Sequence, residues 1–91
     1  MATSPVWTVD TWKVKPRHES HFLKRCSRLS PDKLVLYRDL EVRNFFWSPR
    51  KWESRESLEE WRGGSVYKSA VKEIEGDVVE SFTHIMEEVK L

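Results

Sequence analysis

The sequence predicts an α+β fold with the ferredoxin-like order βαββαβ, in which helices cover one face of a four-stranded antiparallel sheet. Three observations lead to this prediction. Four short segments are rich in β-branched and aromatic residues, helical periodicity follows the first and third of them, and only four residues separate the second from the third. With 91 residues the chain has the length of one domain, which we take as 1–91.

The first predicted strand is Val6–Val14, which is rich in valine, threonine and tryptophan. A helix from about Arg17 to Arg28 follows. Its apolar face is predicted from Phe22, Cys26 and Leu29, which recur at helical spacing.

The second and third strands are predicted over Leu34–Asp39 and Asn44–Ser48. Their short connection makes them an antiparallel hairpin. The third strand can resume after Pro49 and reach Trp52. Because proline has no N–H for the ladder, Pro49 indicates a sheet edge or a bulge.

Two short helices are predicted next, before the last strand. Ser54 is suited to cap the first one, and Gly63-Gly64 ends it because glycine tolerates the left-handed cap. Ser65 can cap the second helix and Gly76 closes it. The last predicted strand is Ser81–Val89.

Composition and charge exclude several classes of function. Charged residues make up 34% of the chain and the net charge is +1, so no general attraction to nucleic acid or membranes is indicated. No apolar run approaches the roughly 20 residues of a membrane helix, and no signal-peptide pattern is present. Cys26 is the only cysteine, so an intrachain disulfide is excluded and a buried, unreactive thiol is predicted. We expect a cytoplasmic protein without nucleic-acid or membrane partners.

The predicted strands carry large apolar side chains on both faces. On the first strand Trp7 and Trp12 lie on opposite faces. On the third strand Phe45 and Trp47 lie on the face opposite Phe46, and on the last strand Phe82 and Met86 lie on the face opposite Ile85. Two helices cover only one face of a sheet, and an exposed aromatic face promotes aggregation. We therefore predict a homodimer whose sheets pack together, with a partly apolar cavity suited to a small molecule.

Three stretches, "KVKPRHESHF", "FWSPRKWESRESLEEWRGGSVYKSAV" and "FTHIMEEV", resemble the antibiotic biosynthesis monooxygenase domain. The most recognisable part is Trp52-Glu53-Ser54, followed by Trp61. The resemblance implies a dimeric α+β barrel. It also implies oxidation of electron-rich aromatic substrates such as quinols by molecular oxygen, without metal, flavin or haem. A deprotonated phenol can itself pass an electron to oxygen, while the protein supplies binding, a proton acceptor and stabilisation of the anion.

The resemblance also implies site residues. One branch of the family uses a Trp and a Tyr six residues apart, which Trp61 and Tyr67 match, but its Asn four residues before the Trp is Ser57 here. A haem-degrading branch has a His ten residues after the Trp and an Asn on the first strand. These positions are Val71 and, approximately, Asp10, so an axial ligand for haem is missing.

Two interpretations remain open for the candidate catalytic residues Trp61, Tyr67 and His84. Trp61 and Tyr67 either pack helices on the sheet or line a pocket, where the phenol of Tyr67 donates a hydrogen bond to a substrate oxygen. His84 is either a structural residue or a general base, a role that suits the ordinary imidazole pKa.

Polar residues on the strands are candidates for substrate binding. Asp10, Arg38 and Asn44 have this role if they face the cavity, but a slip of one residue in strand register reverses the assignment. His18 and His21 have helical spacing, yet no further ligands are evident nearby, so we predict solvated surface residues and no metal site.

Two functions are consistent with these observations. The first is a cofactor-independent monooxygenase acting on a quinol-like or polyphenolic aromatic substrate. The second is a non-catalytic barrel that binds a small ligand or serves as a dimerisation scaffold. Oxygen consumption with dihydroxy-aromatics separates the two.

Overall fold

The fold is α+β, as predicted: a four-stranded antiparallel sheet with helices on one face. A computed structural model describes residues 5–29 and 35–91. The elements are β1 (Val6–Val14), α1 (Glu19–Leu29), β2 (Tyr37–Arg38), β3 (Phe45–Trp52), α2 (Arg55–Gly63), α3 (Ser65–Ile74), a 3-10 turn (Glu75–Asp77) and β4 (Val78–Glu87). No helix within the described ranges is long and apolar enough to cross a membrane.

The strand order is β2-β3-β1-β4, with every neighbouring pair antiparallel. This is the order that the split βαβ arrangement produces. The predicted hairpin of β2 and β3 is confirmed, but β2 has only two residues and pairs with Phe46 and Trp47 alone. Pro49 pairs with Val9 of β1 and lies beyond the described pairing of β3 with β2, which agrees with the predicted sheet edge.

Several predicted ends are wrong by a few residues. Helix α1 begins at Glu19 rather than Arg17, because Arg17 has a left-handed backbone with φ of 71°. Strand β4 begins at Val78 rather than Ser81, since β1 offers partners as far as Val14. Of the predicted second strand, Leu34 lies outside the described residues.

The break between α2 and α3 differs from the left-handed cap that was predicted. Gly64 is extended, with φ of −79° and ψ of 157°, and its N–H donates to the carbonyl of Trp61 at 3.1 Å. A Cβ at Gly64 would lie only 3.3 Å from that oxygen, so close approach explains the glycine. Gly64, rather than Ser65, is the N-cap of α3, and this helix ends at Ile74, before Gly76. Ser54 caps α2 as predicted and accepts a bond from the Ser57 N–H.

The hydrophobic core lies at one end of the sheet, beneath α1 and α3. Its buried members are Val14, Phe22, Cys26, Phe46 and Ile74, with Trp12, Leu23, Leu36 and Val78 packed against them. The Phe22 and Phe46 rings lie 5.3 Å apart between centroids. Cys26 is buried as predicted, and burial, together with the nearby charge of Asp77, raises the pKa of its thiol to about 11.

The side of the sheet away from the helices is apolar and uncovered in the single chain. Trp7, Trp47, Phe82 and Met86, which we call the open face, retain 36–57% exposure. In the strand register Trp7 lies opposite Met86, and Thr11 lies between Trp47 and Phe82. The predicted occurrence of large apolar residues on both faces is therefore confirmed.

A buried carboxylate joins α1 to the turn before β4. The Asp77 side chain is 4% exposed, and its Oδ1 lies 2.9 Å from His18 Nδ1 and 3.3 Å from His21 Nδ1. Arg25 Nε lies 3.5 Å from Oδ2. The sequence did not predict this shared partner for the two histidines. Across the described residues, no group of three or more His, Cys, Asp or Glu side chains is arranged to hold a metal ion.

Asp77→Asn tests whether the contacts of the buried Asp77 carboxylate with α1 stabilise the protein, through the pH dependence of its stability. Hydrogen bonding from His18 is the main cause that lowers the pKa of Asp77. A lowered carboxyl pKa adds stability above the ordinary value near 4, and this stability is lost as pH falls through the lowered pKa. We expect Asp77→Asn to reduce the free energy of unfolding by about 2 kcal/mol at neutral pH, with a smaller difference in strong acid.

Urea unfolding across this pH range measures the effect. The control Glu59→Gln removes an exposed carboxylate that pairs with Arg55 and should change stability by less than about 0.5 kcal/mol. Equal stability of Asp77→Asn and the native protein at neutral pH would contradict the stabilising role.

Candidate active site

A cavity of about 340 Å³ lies between the helix-facing side of the sheet and helices α2 and α3. Its volume is within the usual range of small-molecule sites, about 300–1,000 Å³. Beyond Trp12, this side of the sheet carries small polar side chains in place of core residues: Thr8, Asp10, Ser48, Ser81 and Thr83. Such side chains do not fill the space under the helices, so a cavity remains.

Aromatic side chains form a wall beside these polar residues. The Trp52 and Trp61 rings lie 6.5 Å apart between centroids, and Tyr67 meets Trp61 edge-on at 6.2 Å. The Trp52 Nε1–H donates to Thr8 Oγ1 at 3.0 Å, which fixes the orientation of this buried indole. The wall thus combines residues from β3, α2 and α3, and its ring faces are suited to contact a planar aromatic ligand.

Asp10 is the carboxyl group in the middle of the polar side. It lies opposite Ser48 and Thr83, and its Oδ1 accepts a bond from Thr83 Oγ1 at 2.5 Å. Burial raises the pKa of Asp10, although the Thr83 hydrogen bond and the charges of Arg62 and Arg50 act in the opposite direction. A carboxyl with a raised pKa accepts a proton more readily near neutral pH.

Arg50 was not singled out from the sequence. Its guanidinium carbon lies 3.8 Å from the Trp52 ring centroid and 5.5 Å from that of Trp61. The side chain is half-buried and lines the cavity. Period-two alternation from Trp52 places Arg50 on the same face of β3, which is the signal that could have found it.

Three of the six predicted site residues line this cavity: Asp10, Trp61 and Tyr67. For Trp61 and Tyr67, both half-buried, this geometry agrees with the pocket interpretation. His84 does not line the cavity; it is exposed, and it lies opposite Val9 on the other side of the sheet.

Arg38 and Asn44 lie together at a separate shallow depression beside the start of α1. Arg38 Nε donates to Glu19 Oε1 at 2.7 Å, and its guanidinium lies 5.7 Å from the Phe46 ring centroid. Asn44 occupies the turn before β3, with a left-handed φ of 57°. Neither residue reaches the cavity between the sheet and α3.

Comparison with solved structures identifies the fold. A putative antibiotic biosynthesis monooxygenase from Caulobacter crescentus matches with a TM-score of 0.86 at 16% identity, over 98% of this chain and 93% of that one. A conserved protein from Methanosarcina mazei matches at 0.85 and 16% identity, over 97% and 96%. A NIPSNAP family protein from Agrobacterium tumefaciens matches at 0.75 and 11% identity, over 98% and 90%.

The resemblance seen in the sequence is therefore confirmed for the fold. Other solved proteins named antibiotic biosynthesis monooxygenases match in the same way. No family model and no curated protein matches the sequence. The chain has an antibiotic biosynthesis monooxygenase-like fold.

Proposed function

We propose that this protein is a cofactor-independent monooxygenase that oxidises a quinol-like or polyphenolic aromatic substrate in the cavity. The observation that carries the proposal is a partly buried carboxyl, Asp10, that lines the same cavity as the Trp61 and Tyr67 side chains. Similarity in fold to proteins named as monooxygenases supports the class of reaction.

The proposed chemistry begins with proton transfer. Asp10 takes the proton of a substrate hydroxyl, and the resulting phenolate passes electrons to molecular oxygen. For a simple quinol, one oxygen atom enters the ring and the other leaves as water, so the products are a hydroxyquinone and water. The quinol supplies all four electrons that reduce oxygen.

The aromatic wall holds the substrate during this reaction. Trp52 and Trp61 contact the ring faces, and the Tyr67 hydroxyl donates to a substrate oxygen. No side-chain hydrogen bond found among the described residues uses the Tyr67 hydroxyl. Since His84 lies on the other side of the sheet, Asp10 takes the role of proton acceptor here.

A non-catalytic barrel that binds a small apolar ligand is the second candidate. Ser57 stands where the monooxygenase pattern has Asn, and its hydroxyl pairs with Ser54 at 3.0 Å at the start of α2. Proteins of other names, including the NIPSNAP family protein, share the fold.

Oxygen uptake with a panel of dihydroxy-aromatics tests the proposed reaction. We expect Asp10→Asn to lower turnover by about a hundred- to ten-thousand-fold, because the base is lost. Tyr67→Phe should lower it by about tenfold, the effect of one hydrogen bond to a charged oxygen. Tyr37→Phe, at an exposed tyrosine outside the cavity, is the matched control and should leave uptake unchanged. No uptake by the native protein across the panel would favour the binding function.

The open face supports the proposal of a homodimer. Its four large side chains form an apolar surface that a single chain leaves in water. A second copy presents the same surface, and two such sheets can pack about a two-fold axis. We propose this dimer as the functional assembly, located in the cytoplasm.

Sedimentation equilibrium tests the dimer. Phe82→Glu puts a charge on the open face and should shift the protein from dimer to monomer at micromolar concentration, because burial of an unpaired carboxylate opposes association. The control Val66→Glu changes an exposed residue on α3 and should leave the dimer intact. A native protein that sediments as a monomer at this concentration would refute the proposal.

A further inference from the structure

We propose that Arg50 makes the cavity selective for aromatic substrates that carry a negatively charged group besides a hydroxyl. The inference rests on the proposed function for the aromatic nature of the ligand, and it adds the class of substrate. It concerns the end of the cavity formed by β3 and α2.

The position of Arg50 is set by two indoles. The contact of 3.8 Å between its guanidinium carbon and the Trp52 ring centroid is a close cation–π contact, and Trp61 lies near as well. Contact with a ring face uses none of the five N–H donors of a guanidinium. These donors therefore need other acceptors.

The protein does not supply those acceptors in the part of the chain that the structure describes. Arg25, Arg38 and Arg55 each have a carboxylate within 4.0 Å, whereas no such pair includes Arg50. Desolvation lowers the pKa of Arg50, although the charge of Asp10 acts in the other direction. A partly desolvated cation with unused donors is stabilised by an anion that enters the cavity.

The strand register sets where the anion binds relative to the proposed base. Arg50 lies opposite Thr8 on β1, and Asp10 lies opposite Ser48, two residues further along the strand. Such diagonal neighbours on adjacent antiparallel strands lie about 7–8 Å apart. A single ring with a hydroxyl and a carboxylate on opposite sides spans about this distance, so it can approach Asp10 and Arg50 together.

Another charge along the cavity favours the same orientation. Glu75, which follows α3 directly, lines the end of the cavity near the core. Negative charge at that end and the Arg50 guanidinium at the other direct an anionic ligand toward the indoles.

Binding of two catechols of the same shape and different charge tests the proposal. Protocatechuate has a carboxylate para to one hydroxyl, and its primary amide is the neutral counterpart. Titrations without oxygen, followed by tryptophan fluorescence, separate binding from turnover. We expect the native protein to bind the carboxylate about ten- to a hundred-fold more tightly than the amide, the effect of a charge-assisted hydrogen bond.

Variants of β3 assign this preference to one residue. Arg50→Gln should bind both compounds with similar, weak affinity, and Arg50→Lys should recover part of the preference because it keeps the charge but not the planar fork. The control Lys51→Gln removes the adjacent cation, which lies near Trp7 on the other side of the sheet, and should keep the full preference.

Equal affinity for the two compounds in the native protein, or no binding of either, would overturn the inference. A preference that survives in Arg50→Gln would overturn it too. The inference and the proposed function can fail independently. Preference for the carboxylate without oxygen uptake would support the inference and contradict the proposed reaction. Oxygen uptake without this preference would support the reaction and contradict the inference.

Discussion

Small polar side chains on the helix-facing side of the sheet are the constraint on which the site depends. Near α1 this face carries Val14 and Phe46, which close against Phe22 with almost no exposure. Further along β1 the same face carries Thr8 and Asp10, which are too small to meet the helices above them. One end of this sheet face is thus packed into the core, and the other end lines the cavity. The side chains of β1 determine where the core ends and the cavity begins.

Trp52 contributes both to the stability of the domain and to the wall of the cavity. It is buried, bonded to Thr8, and in contact with both Arg50 and the Trp61 ring. A domain of 91 residues has a small core, so each buried aromatic side chain contributes a large share of the apolar burial. The indoles that line the cavity therefore also hold α2 on the sheet, and this explains the aromatic residues in a polar stretch of sequence.

The sequence predicted the fold better than the site. The composition of β1 and the helical spacing of Phe22 and Cys26 are local features, which a single chain reveals. The contacts of Asp77 with His18 and His21, and the contact of Arg50 with Trp61, join residues that are not neighbours in sequence. Local patterns do not reveal such contacts. His84 and Asp10 show the limit, because both lie on strands, and only the register determines which side of the sheet each one faces.

Nuclear Overhauser effects from bound protocatechuate are the most direct test of the central claim, that the ligand site lies between the sheet and the helices. Trp52 and Trp61 line the cavity, whereas Trp7 and Trp47 lie on the open face. The account predicts contacts from the ligand ring protons to the side chains of Trp52 and Trp61. Contacts to Trp7 and Trp47 alone would contradict it.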